Sequence, residues 1–81
     1  MPNQEWVFSA ITKERAYQDE KYGPAHDRQL GLGAFLVILK GELDEAMREF
    51  VRNGPGAAKL EILQVAAVAV AALEYHGVQE R

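Results

Sequence analysis

The sequence predicts an all-α protein built from three helices. Two breaks rich in glycine and proline, Gly23-Pro24 and residues 53–56, separate three segments in which apolar residues recur at helical spacing. The chain has 81 residues and no cysteine, so neither a disulfide nor a thiolate-bound metal can stabilise it. We therefore expect a single helical domain over residues 1–81, stabilised by helix packing, by a metal or by self-association.

The first helix is expected at about residues 4–22. Asn3 is a suitable N-cap, because its short side chain can accept a hydrogen bond from the backbone of the first turn. Arg15 and Asp19 lie one turn apart and can form an ion pair along the helix. The following stretch, residues 23–30, contains turn-forming residues and is predicted to be a loop.

The second helix is expected at about residues 32–52. Apolar residues form one stripe along it, which indicates the side that faces the core. The stripe consists of Leu32, Phe35, Leu36, Leu39, Leu43, Ala46, Met47 and Phe50. On another side Lys40, Asp44 and Arg48 are spaced four apart, which predicts a solvated face with ion pairs.

The third helix is expected at about residues 55–76, between a stop at Asn53-Gly54 and a C-terminal cap at Gly77. From Val65 to Leu73 every residue is apolar, so the helix presents apolar side chains in all directions. Such a helix must be buried on all sides, which two partner helices in a short chain cannot easily achieve. We therefore predict a homo-oligomeric helical bundle, a dimer or a tetramer, with this helix at the interface. The alternative is a helix central to a monomeric three-helix bundle.

Charge and hydropathy disfavour two classes of partner. The chain has nine Lys and Arg and twelve Asp and Glu, a formal net charge of -3, and it contains no basic stretch. Nucleic-acid binding is therefore not expected. No uninterrupted apolar run reaches the roughly 20 residues that span a bilayer. Residues 1–5 also lack the basic and apolar regions of a signal peptide. We expect a soluble, cytoplasmic protein without a membrane partner.

Acidic residues form an unusual group beside the predicted core. Glu42, Glu45 and Glu49 lie within about 60° of one another around the second helix, and like charges at this spacing repel. A hard divalent cation such as Mg²⁺ would make the group favourable, because it prefers oxygen ligands. Glu61 and Gln64 lie one turn apart on the apolar third helix, and antiparallel packing of the two helices would let Glu61 approach Glu45 or Glu49. The alternative is a set of ordinary surface glutamates.

These acidic residues carry a family resemblance. The sequence ELDE at 42–45, followed by EILQ at 61–64, resembles the ExxE…ExxD signature of the MazG-like all-α nucleoside triphosphate pyrophosphohydrolases. Residues 14–23 and 64–70 also resemble the flanking helices of short members borne by phages and integron cassettes. The resemblance covers about residues 10–76. It departs from the family at Gln64, where an aspartate is usual, so the site has one negative charge fewer.

The resemblance implies a hydrolase that acts in nucleotide-pool house-cleaning. Members of the family cleave a nucleoside triphosphate to the monophosphate and pyrophosphate with Mg²⁺, for which Mn²⁺ is an alternative. By this resemblance Glu42, Glu45 and Glu61 are the catalytic residues. The same three carboxylates and Gln64 would be the metal ligands. Which carboxylate acts as the base stays open.

Phosphate groups require cations, and Arg15, Lys21 and Lys59 are the candidates for binding the substrate. For each of them, an ordinary solvated surface position is the alternative. His26 is interpreted as a loop histidine with a hydrogen-bonding role. Two other functions stay open: a nucleotide or metal binder without catalysis, suggested by Gln64, and a purely structural helical interaction module.

Overall fold

All three predicted helices are present in the computed structural model, which describes residues 3–24 and 29–81. Helix α1 spans Gln4–Tyr22, α2 spans Leu32–Asn53 and α3 spans Pro55–His76. The bounds of α1 and α3 agree with the prediction, and α2 continues one residue further than expected. No strand occurs within the described ranges, so the all-α class is confirmed.

Local sequence signals account for the helix ends. The Asn3 side chain accepts a hydrogen bond from the backbone N–H of Trp6 at 2.9 Å, as expected of an N-cap. Gly54 and Gly77 have φ angles of 85° and 88°, in the region that favours glycine because it has no Cβ atom. Each donates its backbone N–H to a carbonyl one turn earlier and so closes the end of its helix.

Helix α3 is the central element, because both α1 and α2 pack against it. Only Gly54 separates α2 from α3. Near the start of α2, Phe35 packs against Ala71 near the end of α3, while further along α2 the side chain of Glu42 meets that of Gln64. This pairing makes α2 and α3 an antiparallel hairpin, and it places the acidic residues of the two helices side by side.

The core of the single chain is narrow and consists mainly of alanine. Phe35 is the one large side chain in the described residues that is fully buried, and Leu30 and Val68 pack beside it. The buried apolar residues are Phe35, Ala46, Ala58, Ala67, Ala71 and Ala72. Small side chains let the helices approach closely, but each of them buries little apolar area. The hydrophobic effect therefore contributes only modestly to the stability of a single chain.

The predicted core stripe of α2 is wrong for the single chain. Of its eight residues, two are buried, Leu39 is half-buried, and the others are more than half exposed. The exposed members are Leu32, Leu36, Leu43, Met47 and Phe50. The reason is a rotation of α2 about its axis: the side that meets α3 contains Phe35 and Ala46 but also Glu42, so the acidic edge faces inward.

Helix α3 is less buried in the single chain than its composition predicts. Four of its seven alanines are buried and the other three are half-buried, whereas Leu60, Ile62 and Leu73 are about half exposed. By length and composition α3 is also the one helix in the described ranges that could cross a membrane. The core helix of a soluble protein passes the same test, so this feature is compatible with either environment. The cytoplasmic location therefore stays a prediction.

Candidate carboxylate site

The candidate site lies where α2 and α3 face each other, and Gln64 is at its centre. With the carboxamide oriented by its hydrogen-bond network, Gln64 Nε2 lies 3.2 Å from Glu42 Oε2 and 3.1 Å from Glu61 Oε2. Each of the two amide hydrogens can therefore be donated to one carboxylate. The sequence predicted that Glu61 approaches Glu45 or Glu49, whereas in the structure the carboxamide of Gln64 links Glu61 to Glu42.

The orientation of Gln64 offsets the repulsion between the two carboxylates. Hydrogen bonds to a charged acceptor are stronger than neutral ones, and the N–H dipoles place partial positive charge between Glu42 and Glu61. A metal ligand would present its amide oxygen instead. Binding of a cation at this point therefore requires the carboxamide of Gln64 to turn or to move away.

The other two glutamates of the acidic group have partners on α2. The carboxylate of Glu45 accepts a hydrogen bond from Arg48, and that of Glu49 accepts one from Asn53 at 2.7 Å. The spacing had suggested that Arg48 pairs with Asp44, but in the structure Arg48 pairs with Glu45. The other expected pair of that face is present: Lys40 Nζ lies 3.2 Å from Asp44 Oδ2.

Electrostatics single out Glu61 among the carboxylates. It lies on α3 in a half-buried position, opposite the acidic group of α2. Burial, followed by repulsion from Glu42, Glu45 and Glu49, raises the pKa of Glu61 above its ordinary value. This repulsion shows that all four carboxylates share one electrostatic environment, although Gln64 contacts two of them.

The donor chemistry of the site fits a hard cation such as Mg²⁺. Glu42 and Glu61 offer carboxylate oxygens, which Mg²⁺ prefers, and Gln64 can offer its amide oxygen once the carboxamide has turned. Within the described residues, no three acidic or histidine side chains converge as a complete metal site. Since Mg²⁺ usually keeps several waters and binds few carboxylates directly, Glu42 and Glu61 are the residues that would hold it.

A cleft of about 350 Å³ opens beside Glu42 and Gln64. This volume is within the range of small-molecule sites in proteins. All three helices contribute to its wall, and α1 supplies most of the polar and aromatic groups. The residues of α1 that line the cleft are Glu14, Tyr17, Gln18, Lys21 and Tyr22. Phe35, Ile38, Val68 and Ala71 supply apolar surface from α2 and α3.

Gln18 is a site residue to which sequence reasoning assigned no role. It is the one buried polar residue in the described part of the chain, with 7% of its surface exposed. Its Nε2 donates to Glu14 Oε2 at 3.5 Å and to the backbone carbonyl oxygen of Gln64 at 3.4 Å. The available signal is the spacing of Glu14 and Gln18, one helical turn apart, which places both on the side of α1 that faces the cleft.

Arg15, a predicted phosphate-binding residue, is engaged in ion pairs. Its Nε lies 2.7 Å from Glu74 Oε1 and its Nη1 lies 2.9 Å from Asp19 Oδ1, and 12% of its side chain is exposed. Burial acts to lower its pKa, but the hydrogen bonds and charges of Asp19 and Glu74 outweigh it and raise the pKa. Arg15 thus links α1 to the end of α3.

Lys21 is the predicted cation that the structure places at the cleft. Its ammonium group lies 5.1 Å from the ring centre of Tyr22 and 5.9 Å from that of Tyr17. A side-chain hydrogen bond with Tyr22 and the nearby phenol groups raise the pKa of Lys21, so it stays a cation. Lys59 is exposed on α3 and is not part of the cleft wall. His26 lies outside the described residues.

Comparison of the chain with protein-family models, with curated proteins and with solved structures finds no match. The resemblance to MazG-like enzymes therefore stays a prediction, carried by the two acidic motifs and their flanking helices.

Proposed function

We propose that this protein is a Mg²⁺-dependent nucleoside triphosphate pyrophosphohydrolase that converts a (d)NTP to the (d)NMP and pyrophosphate. One observation carries the proposal: carboxylates from two facing helices, Glu42 and Glu61, converge on the carboxamide of Gln64. Glu42 and Gln64 also line a cleft of about 350 Å³. Carboxylates on facing helices are a common way to build a metal site in a helical bundle. The order of the acidic motifs in the sequence supports the same function.

The proposed reaction is the attack of water on a phosphorus atom of the triphosphate. The water oxygen forms a bond to phosphorus, the bond to the oxygen bridging the α and β phosphates breaks, and pyrophosphate leaves. Glu42 and Glu61 would hold Mg²⁺, and the ion would neutralise charge on the phosphate oxygens. The proton of the attacking water would pass to a carboxylate of the acidic group that does not hold the ion.

Lys21 is the residue that we assign to phosphate binding. It is a cation at the wall of the same cleft that contains Glu42 and Gln64. Arg15 is better assigned to holding α1 against α3, since its guanidinium group already has two carboxylate partners. Lys59 lies outside the cleft wall and has the weakest support of the three predicted cations.

Self-association is part of the proposal. The single chain leaves large apolar side chains of α2 exposed, and Leu43, Met47 and Phe50 are each more than half exposed. Its radius of gyration is 13.2 Å, whereas a compact domain of this length has about 11.7 Å. A second copy covering this side of α2, together with the exposed apolar residues of α3, would extend the narrow alanine core.

The proposed reaction is tested by identifying its products. Purified protein is incubated with Mg²⁺ and each common NTP and dNTP, and the products are separated by ion-exchange chromatography. We expect the monophosphate and pyrophosphate in equal amounts. Formation of a nucleoside diphosphate and inorganic phosphate would instead assign a different phosphohydrolase reaction.

A nucleotide binder without catalysis is the second candidate, and the orientation of Gln64 favours it. When the carboxamide is assigned so that its hydrogen bonds are satisfied, its amide nitrogen rather than its oxygen faces both carboxylates. If this arrangement keeps the cation out, the Gln64→Asp variant should acquire pyrophosphate release that the wild type lacks. A wild-type protein that already turns over a triphosphate at a rate equal to the variant contradicts this second candidate.

A further inference from the structure

The wall of the cleft contributed by α1 contains a pair of groups suited to reading a nucleobase. Glu14 and Gln18 lie one turn apart and both line the cleft. An ionised carboxylate only accepts hydrogen bonds, whereas a carboxamide has both a donor and an acceptor end. A planar ring edge with an amino group could satisfy both residues at once.

The hydrogen bonds of Gln18 leave its acceptor end available. Its Nε2 is shared between Glu14 and the backbone of Gln64, at 3.5 Å and 3.4 Å. Both side-chain hydrogen bonds of Gln18 within the described ranges use Nε2 as the donor and none uses Oε1, although the residue is only 7% exposed. A buried polar atom without a partner is uncommon and calls for a ligand or water.

The surroundings of the pair suit an aromatic ring. Tyr17 and Tyr22 contribute aromatic side chains to the cleft, and Phe35 and Val68 contribute apolar surface. Aromatic rings stack on one another with a preference for offset or edge-to-face geometry. The cleft thus combines apolar and aromatic surface with two hydrogen-bonding groups, while Glu42 lies on its wall.

We infer that Glu14 and Gln18 select nucleobases with an exocyclic amino group, namely cytosine, adenine or guanine, over thymine and uracil. This inference rests on the proposed function, because it assigns the base of the same nucleotide. The amino group donates hydrogen bonds to the Glu14 carboxylate and to Gln18 Oε1. Thymine and uracil present a carbonyl oxygen at the corresponding position, and an oxygen facing a carboxylate is repelled.

The test measures binding rather than turnover, so it does not depend on the reaction. The dissociation constants of dCMP, dAMP, dGMP and dTMP are measured by NMR titration of the wild type in the presence of EDTA. We expect at least one amino-bearing monophosphate to bind about tenfold more tightly than dTMP, in line with the discrimination of base-reading contacts.

The decisive variant is Glu14→Gln, which replaces an acceptor by a group that can donate to a carbonyl oxygen. Its preference over dTMP should fall to about twofold or less, because one discriminating contact is lost. Glu20→Gln makes the same chemical change at an exposed position of α1 outside the cleft and should keep the wild-type preference. Circular dichroism establishes that both variants are folded.

Equal affinity of the wild type for all four monophosphates, or a preference that Glu14→Gln leaves unchanged, overturns the inference. So does a wild type that binds none of them. These results differ from a failure of the proposed function: a protein that releases pyrophosphate from every dNTP equally keeps the function and loses the inference. A protein that prefers dCMP or dAMP over dTMP but releases no pyrophosphate supports the inference about the base and contradicts the proposed reaction.

Discussion

Gln64 Nε2 lies 3.1 Å from the Glu61 carboxylate, one turn earlier on the same helix, and the same nitrogen reaches Glu42 on α2. A glutamine at this position therefore does more than remove a negative charge from the acidic group. Its amide supplies the positive end of a dipole between two carboxylates that would otherwise repel. The helices can pack with the site free of metal, and a cation must compete with the amide for the same two oxygens.

The Gln64→Glu variant tests this role of the amide. We expect its free energy of unfolding in EDTA to fall by about 1 kcal/mol or more, because hydrogen bonds to charged groups are lost and a third carboxylate is added. Addition of Mg²⁺ should then raise the melting temperature of the variant more than that of the wild type. Thermal unfolding followed by circular dichroism, with and without Mg²⁺, measures both effects.

Gln79→Glu provides the control, since it adds the same charge in the exposed segment after α3. It should change neither the stability in EDTA nor the response to Mg²⁺. An equal loss of stability in both variants would assign the effect to net charge rather than to the contacts of Gln64.

Much of the fold could be predicted from local sequence. Asn3, Gly54 and Gly77 act through the backbone of their own turns, so their effects do not depend on distant residues. The rotation of α2 could not be predicted in this way. Phe35 lies at one edge of the apolar stripe of α2, next to the acidic residues. Whether the stripe or the acidic edge faces α3 depends on which side of α2 can pack closely against the alanines of α3.

The sequence predicted which residues belong to the site, but it did not predict which of them contact one another. Antiparallel packing of α2 and α3 predicted that Glu61 approaches Glu45 or Glu49, but the two carboxylates that share the Gln64 carboxamide are Glu61 and Glu42. The direction of the Gln64 carboxamide is set by two carboxylates together, so neither helix alone determines it. Gln18 was missed because its burial comes from the packing of α1 on α3, and the pattern of α1 contains no signal for that depth.

Arg15 and Lys21 should differ in what their loss affects. Arg15→Met removes the ion pairs that join α1 to Glu74 and should lower the free energy of unfolding by roughly 1 kcal/mol, without raising KM. Lys21→Met should leave stability unchanged and raise KM for the triphosphate about tenfold, which corresponds to about 1.4 kcal/mol. Urea unfolding and steady-state kinetics on both variants separate the two roles. A raised KM for Arg15→Met with unchanged stability would reverse the assignment.

Stability without metal should depend on pH through Glu61. Its pKa is raised in the folded state, so the folded protein binds the proton more tightly than the unfolded chain. The stabilising effect of protonation is present below the unfolded pKa of about 4.3 and is lost as pH rises through the folded pKa. The advantage in melting temperature of Glu61→Gln over the wild type should therefore grow from pH 4 to pH 7 in EDTA. A difference that is constant across this range would contradict the assignment.

Self-association predicts a specific response to charge on α2. Leu43→Lys places an ammonium group within the exposed apolar stripe and should reduce the mass in solution to that of a single chain, 9.0 kDa. Val37→Lys is a matched control, because Val37 is 73% exposed and lies about 140° around α2 from the centre of the stripe. Light scattering coupled to size-exclusion chromatography measures the mass. A wild type of 9.0 kDa would show that the exposed stripe has no second copy as its partner.

Pyrophosphate release from a panel of NTPs and dNTPs tests the central proposal most directly, with wild type, Glu42→Gln and Asp44→Asn compared at equal concentration. Asp44 is the matched control, since its carboxylate pairs with Lys40 on another side of α2. We predict Mg²⁺-dependent release by the wild type and by Asp44→Asn, and a loss of about 100-fold or more in Glu42→Gln. Absence of pyrophosphate from every nucleotide with either Mg²⁺ or Mn²⁺, or equal release by all three proteins, would contradict it.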